Sequence, residues 1–210
     1  LRLPQVTDIC EGTQDTCLIH IETDENVSGW GEVDSCPNVV KSVIEAPLSH
    51  QICNGLENAL LGANPLAVEE CMHRMDAAAN YYGRVGVGAH AMAGINQALW
   101  DIAGKVYGIP VHQLFGGPFN TKFRAYCSVL FGNSPDETFE IARRHADLGF
   151  TAIKFGWGPM GQCEKNDIAL IREARRGAGT EIDILVDAGQ VWDWKTALRR
   201  AQAFAEYDVF

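Results

Sequence analysis

The sequence has no Cys-x-x-Cys pair, no His-Glu-x-x-His, no two histidines four apart and no Gly-x-x-x-x-Gly-Lys-Ser/Thr. The first three absences leave no pattern for a zinc site, and the fourth excludes a P-loop. Seven cysteines leave one unpaired in any disulfide scheme, so a reduced, cytoplasmic setting is expected. No apolar run approaches the roughly 20 residues of a membrane span. The opening LRLPQVTDIC lacks the basic-then-apolar pattern of a secretory signal, and a soluble protein that does not engage membranes is expected. Positive charge is scarce too: 17 Lys and Arg face 27 Asp and Glu, a formal net charge of −10. A nucleic-acid partner would need a basic face, so that class is excluded. A small anionic substrate is not, because only its pocket needs local positive charge.

What is present is an ordinary globular composition, 210 residues with 47% hydrophobic, enough to bury a core. Thr16 to Glu22 alternates Cys17, Ile19 and Ile21 against Leu18, His20 and Glu22. Asp24-Glu25-Asn26 then turns the chain into Val27 to Glu32, which predicts a β-hairpin. His20 there reads as a structural residue, while Glu32 fits either a buried structural acid or a site residue. Helices are expected over Pro37 to Leu61, Pro65 to Ala79 and Ala89 to Tyr107, the last with Ile95, Leu99, Ile102 and Val106 as one apolar stripe. Residues 1–115 thus read as an α+β domain.

Gly116-Gly117-Pro118 marks a change of rhythm, after which strand and helix alternate. Lys122 to Leu130 is the first expected strand. Its helix opens on Ser134-Pro-Asp-Glu137, a capping box with proline at the first position, and stops at Gly149. The second unit joins Thr151-Ala-Ile-Lys154 to a helix ended by Gly177. The third joins Ile182 to Asp187 to a helix opened by Asp193. Residues 116–210 therefore read as three βα units. A parallel barrel of eight such units needs on the order of 250 residues, so the chain is expected to be a fragment whose open sheet edge further units would cover.

Two β-rich runs, one βα unit apart, end on Lys154 and Asp187. In a parallel barrel both would stand at the C-terminal mouth, where such folds do their chemistry. A lysine after small and apolar residues is costly unless partnered or functional, and a carboxylate at a strand end is the hard oxygen ligand Mg²⁺ prefers. Trp157 and Trp192 each follow one of these strands and fit either a pocket wall or barrel-rim packing. Gly86-Val-Gly88-Ala-His-Ala91 matches Gly-x-Gly-x-x-Ala, but Ala77 to Tyr82 before it is no strand, so a dinucleotide site is rejected.

Several stretches together resemble the mandelate racemase and muconate-lactonizing branch of the enolase superfamily. They are Gly29-Trp-Gly-Glu32, Ala93 to Lys105, Gly108-Ile-Pro-Val111, Leu114-Phe-Gly-Gly117, Gly149 to Lys154 and Leu185-Val-Asp187. The resemblance implies an α+β capping domain followed by part of a (β/α)₇β TIM-like barrel. It also implies a Mg²⁺ that binds a substrate carboxylate, a base that removes the α-proton, and an enediolate intermediate. Asp187 matches the first of three metal-binding acids. Lys154 matches the first lysine of a Lys-x-Lys pair and is the expected catalytic residue. Trp157, Gln190 and Arg84 are the expected substrate-binding residues, with a structural ion pair the other reading of Arg84. The cap loops Glu11 to Thr16 and Asp34 to Asn38 are expected to set specificity, and a homo-oligomer is expected.

The chain departs from the pattern at two places. Gly156 stands where the second lysine would be, and Gly189 where an asparagine is common. Members without that second lysine resemble acid-sugar dehydratases, in which a His-Asp dyad late in the barrel takes the proton and Lys154 becomes an electrostatic partner. The expected function is Mg²⁺-dependent dehydration of a sugar acid. A racemase, epimerase or cycloisomerase of the same superfamily, and a noncatalytic fragment, are the alternatives.

Overall fold

The computed structural model describes residues 15–210, which fall into two compact units, 15–121 and 122–210. In the first, β1 (Cys17–Glu22) pairs antiparallel with β2 (Ser28–Val33) from Cys17↔Val33 to Glu22↔Ser28. The alternation is as expected, with Ile19 in the core and Leu18, His20 and Glu22 outside. His20 stacks on Trp30 across the strands at 4.1 Å. Glu32 is exposed and accepts a hydrogen bond from Thr16, so it is no buried acid.

The expected helix over residues 37–61 is two helices, α1 (Pro37–Glu45) and α2 (Leu56–Leu60). Pro47 is the cause: the residue before a proline is pushed out of the helical region, and Ala46 has ψ 133°. Next come α3 (Val68–Ala78), α4 (Val87–Tyr107) and α5 (Val111–Leu114). Ile95, Leu99 and Ile102 of α4 are buried as the stripe predicts, but Val106 is 45% exposed because the helix outruns its sheet. Gly108, at φ +69°, ends it.

Helix α4 lies so close to β2 that a Cβ on Gly31 would come 1.9 Å from the Gly94 carbonyl oxygen. Three of its side chains, four residues apart, close the outer edge of that strand. Lys105 donates to the Ser28 carbonyl at 2.7 Å, Asp101 accepts from the Trp30 amide at 2.9 Å, and Gln97 accepts from the Glu32 amide at 3.1 Å. A strand edge left open would present unpaired backbone groups. Burial works to raise the Asp101 pKa, but hydrogen bonds from Lys105 and the Trp30 amide outweigh it and hold the carboxyl below its ordinary 3.8. A depressed carboxyl adds stability that is complete above the ordinary value and lost as pH falls through the lower, folded one. Asp101→Asn is therefore expected to lower Tm at neutral pH by an amount that narrows below pH 3.8. Thermal melts across that range check this, and a constant difference would reject it.

In the second unit β3 (Cys127–Leu130), β4 (Ala152–Gly156) and β5 (Asp183–Asp187) form a parallel sheet in the order β3-β4-β5. They alternate with α6 (Pro135–Asp147), α7 (Glu164–Ala178) and α8 (Trp194–Phe204). Ile153, Phe155 and Ile184 point to one face, where they are buried with Ala142 of α6, Leu170, Ile171 and Ala174 of α7, and Phe204 of α8. Residues one step along each strand, Ser128, Lys154, Gly156, Leu185 and Asp187, share the other face.

Several boundaries and one cap differ from the sequence reading. The first strand begins at Cys127, not Lys122, because Arg124 turns aside to donate to Thr151 and pair with Asp183 at 2.5 Å. The Ser134 side chain caps α6 through the Glu137 amide at 3.2 Å, but the Glu137 carboxylate reaches back to the Asn133 amide, one residue before the capping-box position. Gly177 does not end α7. It lies within the helix, where a Cβ would come 2.3 Å from the Phe139 carbonyl oxygen, and the stop is Gly179 at φ +81°. Asp193 opens α8 as expected, accepting from the Thr196 amide at 2.7 Å.

After α8 and a 3-10 turn over Ala205–Tyr207, Val209 forms a parallel bridge with Ile184, and the Phe210 amide donates to the Ile184 carbonyl. Arg175 holds this segment, donating to the carbonyls of Gly179, Ile182, Tyr207 and Asp208. The sheet thus continues past β5 in the direction it has taken since β3.

Candidate active site

The site is built on the face of the β3-β4-β5 sheet away from its helices. Lys154 does not end its strand as the sequence suggested. Strand β4 runs on through Phe155, whose ring is fully buried in the core, to Gly156, and Gly156 is the partner of Asp187. Because side chains two apart share a face, Lys154 still reaches the neighbouring carboxylate. Its Nζ lies 3.6 Å from Asp187 Oδ2 and 5.5 Å from the centre of the Tyr126 ring. The other oxygen, Asp187 Oδ1, accepts from the Gly189 amide at 3.0 Å, which fixes the carboxylate on its own turn.

Two short loops carry the rest. Trp157 follows Gly156 directly at φ +47°, and Gln190 is at φ +62°. A non-glycine residue in this region is uncommon, and such backbone persists where its surroundings hold it. Gly189 explains part of the arrangement: a Cβ there would come 2.7 Å from Trp157 Nε1, so the indole lies against the position where an asparagine is common. Trp157 is half-buried and Gln190 exposed. Adjacent strands and their loops therefore bring Lys154 to Asp187 and Trp157 to the Asp187 turn, in which Gln190 is the next residue after Gly189.

Arg84 belongs to the other compact unit, before α4, and donates to Asn80 Oδ1 at 2.8 Å. Of the expected cap loop 11–16, residues 11–14 lie outside the described residues. In the loop 34–38, Ser35 Oγ is 2.9 Å from His90 Nδ1. The first unit also holds a cavity of about 970 Å³ between β1, α1 and α2, whose lining includes neither Lys154 nor Asp187.

Asp187 offers hard carboxylate oxygens on a turn that orients them, with a side chain 39% exposed, and this suits one corner of a Mg²⁺ site. Among the described residues no group of three His, Cys, Asp or Glu is placed to hold a metal ion.

Sequence reading missed Tyr126 and Ser128, which accompany Lys154, and the interlock of Trp157 with Gly189. Strand alternation would have put Ser128 on the Lys154 face once the register was known. Trp192 is half-buried: its ring lies 6.1 Å from Phe204 and 5.9 Å from the Arg200 guanidinium, so it packs beneath the site.

Both parts of the chain match known protein families. Residues 4–116 match the family model for the mandelate racemase / muconate lactonizing enzyme N-terminal domain, and residues 137–210 match the enolase C-terminal domain-like model. The chain is 32% identical over 178 residues to the D-galactonate dehydratase of Pectobacterium atrosepticum, covering 81% of this chain and 44% of that protein. It is 30% identical over 199 residues to the D-galactarolactone cycloisomerase of Agrobacterium fabrum, covering 91% and 49%. Its fold is similar to that of the 3,6-anhydro-D-galactonate cycloisomerase of Zobellia galactanivorans, with a TM-score of 0.81 and 27% identity over 92% of this chain and 51% of that one. The chain spans about half the length of the curated relatives it matches. Among the described residues no helix is long and apolar enough to cross a membrane. With both of its halves matched in sequence order, the chain belongs to the mandelate racemase and muconate-lactonizing enzyme branch of the enolase superfamily.

Proposed function

We propose that the protein is a Mg²⁺-dependent sugar-acid dehydratase, in which the proton α to a carboxylate is abstracted and the hydroxyl on the adjacent carbon leaves as water. The observation that carries this reading is Gly156. It stands opposite Asp187 on the face of Lys154, where a Cβ would lie 3.5 Å from that of Asp187, and it brings no second ammonium to the place where a two-lysine site would have its base. Lys154 then acts as an electrostatic partner for the charge that develops on the substrate carboxylate. Asp187 would hold the cation, with Trp157 and Gln190 beside the substrate. Bound there, Mg²⁺ supplies Lewis-acid stabilisation of the same developing charge.

A barrel setting is part of the proposal. The three strands advance in one direction, Val209 extends them, and α6, α7 and α8 all pack on one face. A sheet with α6, α7 and α8 on one face and Lys154 and Asp187 on the other suits a closed barrel whose interior is that second face.

Assay of the whole protein with Mg²⁺ and a panel of aldonates and aldarates, D-galactonate first, is expected to yield a 2-keto-3-deoxy acid. Epimer interconversion or lactone isomerisation without loss of water would replace this reading by the isomerase one, which the cycloisomerase relatives favour. No turnover of any sugar acid would remove both.

A further inference from the structure

Helix α7 carries a carboxylate that the proposed chemistry does not use. Asp167 is fully buried. Its Oδ1 accepts from the Gly161 amide at 2.7 Å, and its Oδ2 accepts from Arg200 Nε at 2.9 Å. Arg200, on α8, is 8% exposed at its side chain and also comes within 2.8 Å of Glu164. Desolvating two charges costs free energy that their attraction often only repays, and apolar residues of similar size would pack such a place as well. Stability alone therefore gives little reason for an ion pair here.

Its partners suggest another reason. Gly161 lies in the loop that follows β4 and carries Trp157, while Arg200 covers Trp192 in the turn that follows β5 and carries Gln190. The two loops interlock: a Cβ on Gly161 would come 2.5 Å from Val191 Cγ2, and one on Gly189 would come 2.7 Å from Trp157 Nε1. Trp157 and Gln190, the two non-glycine residues with left-handed backbone in these loops, flank that interlock in sequence: Trp157 directly follows β4, which carries Lys154, and Gln190 lies three residues after Asp187. Backbone of this kind is retained only where its surroundings over-determine it.

We propose that Asp167 and Arg200 are positioning residues for the site, their buried pair tying the loop after β4 to the loop after β5 so that Trp157 and Gln190 keep a fixed place beside Lys154 and Asp187. The part of this that concerns turnover rests on the dehydratase reading; the part that concerns the loops does not.

The test uses the whole protein and three variants: Asp167→Asn, which keeps an acceptor for the Gly161 amide but drops the charge, Arg200→Met, and the double apolar variant Asp167→Leu/Arg200→Met. Amide hydrogen exchange is read by mass spectrometry over 157–163 and 188–193 without substrate, below the melting temperature of each variant. Both segments are expected to lose protection together in each single variant. With a sugar acid, kcat is expected to fall about 10- to 100-fold with a smaller change in KM, the range for losing the support of a site group. The double variant is expected to recover the melting temperature but not kcat. Unchanged exchange, loss of protection in one loop only, or recovery of kcat together with stability would overturn the proposal. Should either single variant fail to fold, the double variant still decides between positioning and packing. A wild-type protein that turns over no sugar acid would remove the dehydratase reading, while the exchange result would still decide whether the pair ties the loops.

Discussion

Replacing Asp187 by asparagine in the whole protein is expected to lower Mg²⁺-dependent turnover of a sugar acid by at least about 100-fold, beyond the usual cost of losing an outer-shell partner. Asparagine keeps the shape and an oxygen that can accept the Gly189 amide at 3.0 Å, so the turn should survive. What it removes is the negative charge that would hold a divalent cation and that faces Lys154 Nζ at 3.6 Å. The half-exposed ion pair itself contributes only about 0–1 kcal/mol to folding, so Tm should move little. Steady-state kinetics with a Mg²⁺ titration should show a weaker cation dependence together with the lost rate. Wild-type turnover with unchanged Mg²⁺ dependence would remove Asp187 from the site.

Lys154→Met is expected to have a comparable effect on rate and a different one on the metal. Methionine approximates the length of the stem and takes away the ammonium, which in the proposed mechanism stabilises charge that grows as the α-proton leaves. Loss of one such electrostatic contact costs about 10²- to 10³-fold in kcat. The Mg²⁺ midpoint should stay near that of the wild type, which separates this variant from Asp187→Asn. Stability should hold or rise, because the lysine side chain is only 23% exposed and its desolvation carries a cost. Turnover close to wild type would show that Lys154 is a structural cation beside Tyr126.

Both of these residues were legible in the sequence because an ionisable group in a β-rich run is expensive and therefore informative. The exact place of Lys154 was not. A charged residue reads as the end of a strand, whereas the strand continues because Phe155 belongs to the core on the opposite face, and alternation alone does not say which register joins β4 to β5. The helix over 37–61 failed for a local reason, Pro47, which the apolar periodicity around it concealed. The hairpin and the Asp193 cap followed from short-range chemistry and stand as read. The buried pair of Asp167 and Arg200 was beyond such reading. Each lies on a helix rich in charge, Arg200 beside the exposed Arg199, and only packing of α7 against α8 takes them out of water. The same holds for Gly189, whose lack of a side chain gains meaning only when Trp157 is seen against it.

The central claim is that Lys154 and Asp187 serve the removal of a proton α to a carboxylate. It is tested most directly by following the α-hydrogen of a sugar acid by proton NMR with the whole protein and Mg²⁺. The wild type is expected to release that hydrogen to solvent as water is eliminated, while Asp187→Asn and Lys154→Met leave it in place over the same period. Release at the wild-type rate by either variant, or product that retains the α-hydrogen, would contradict the account.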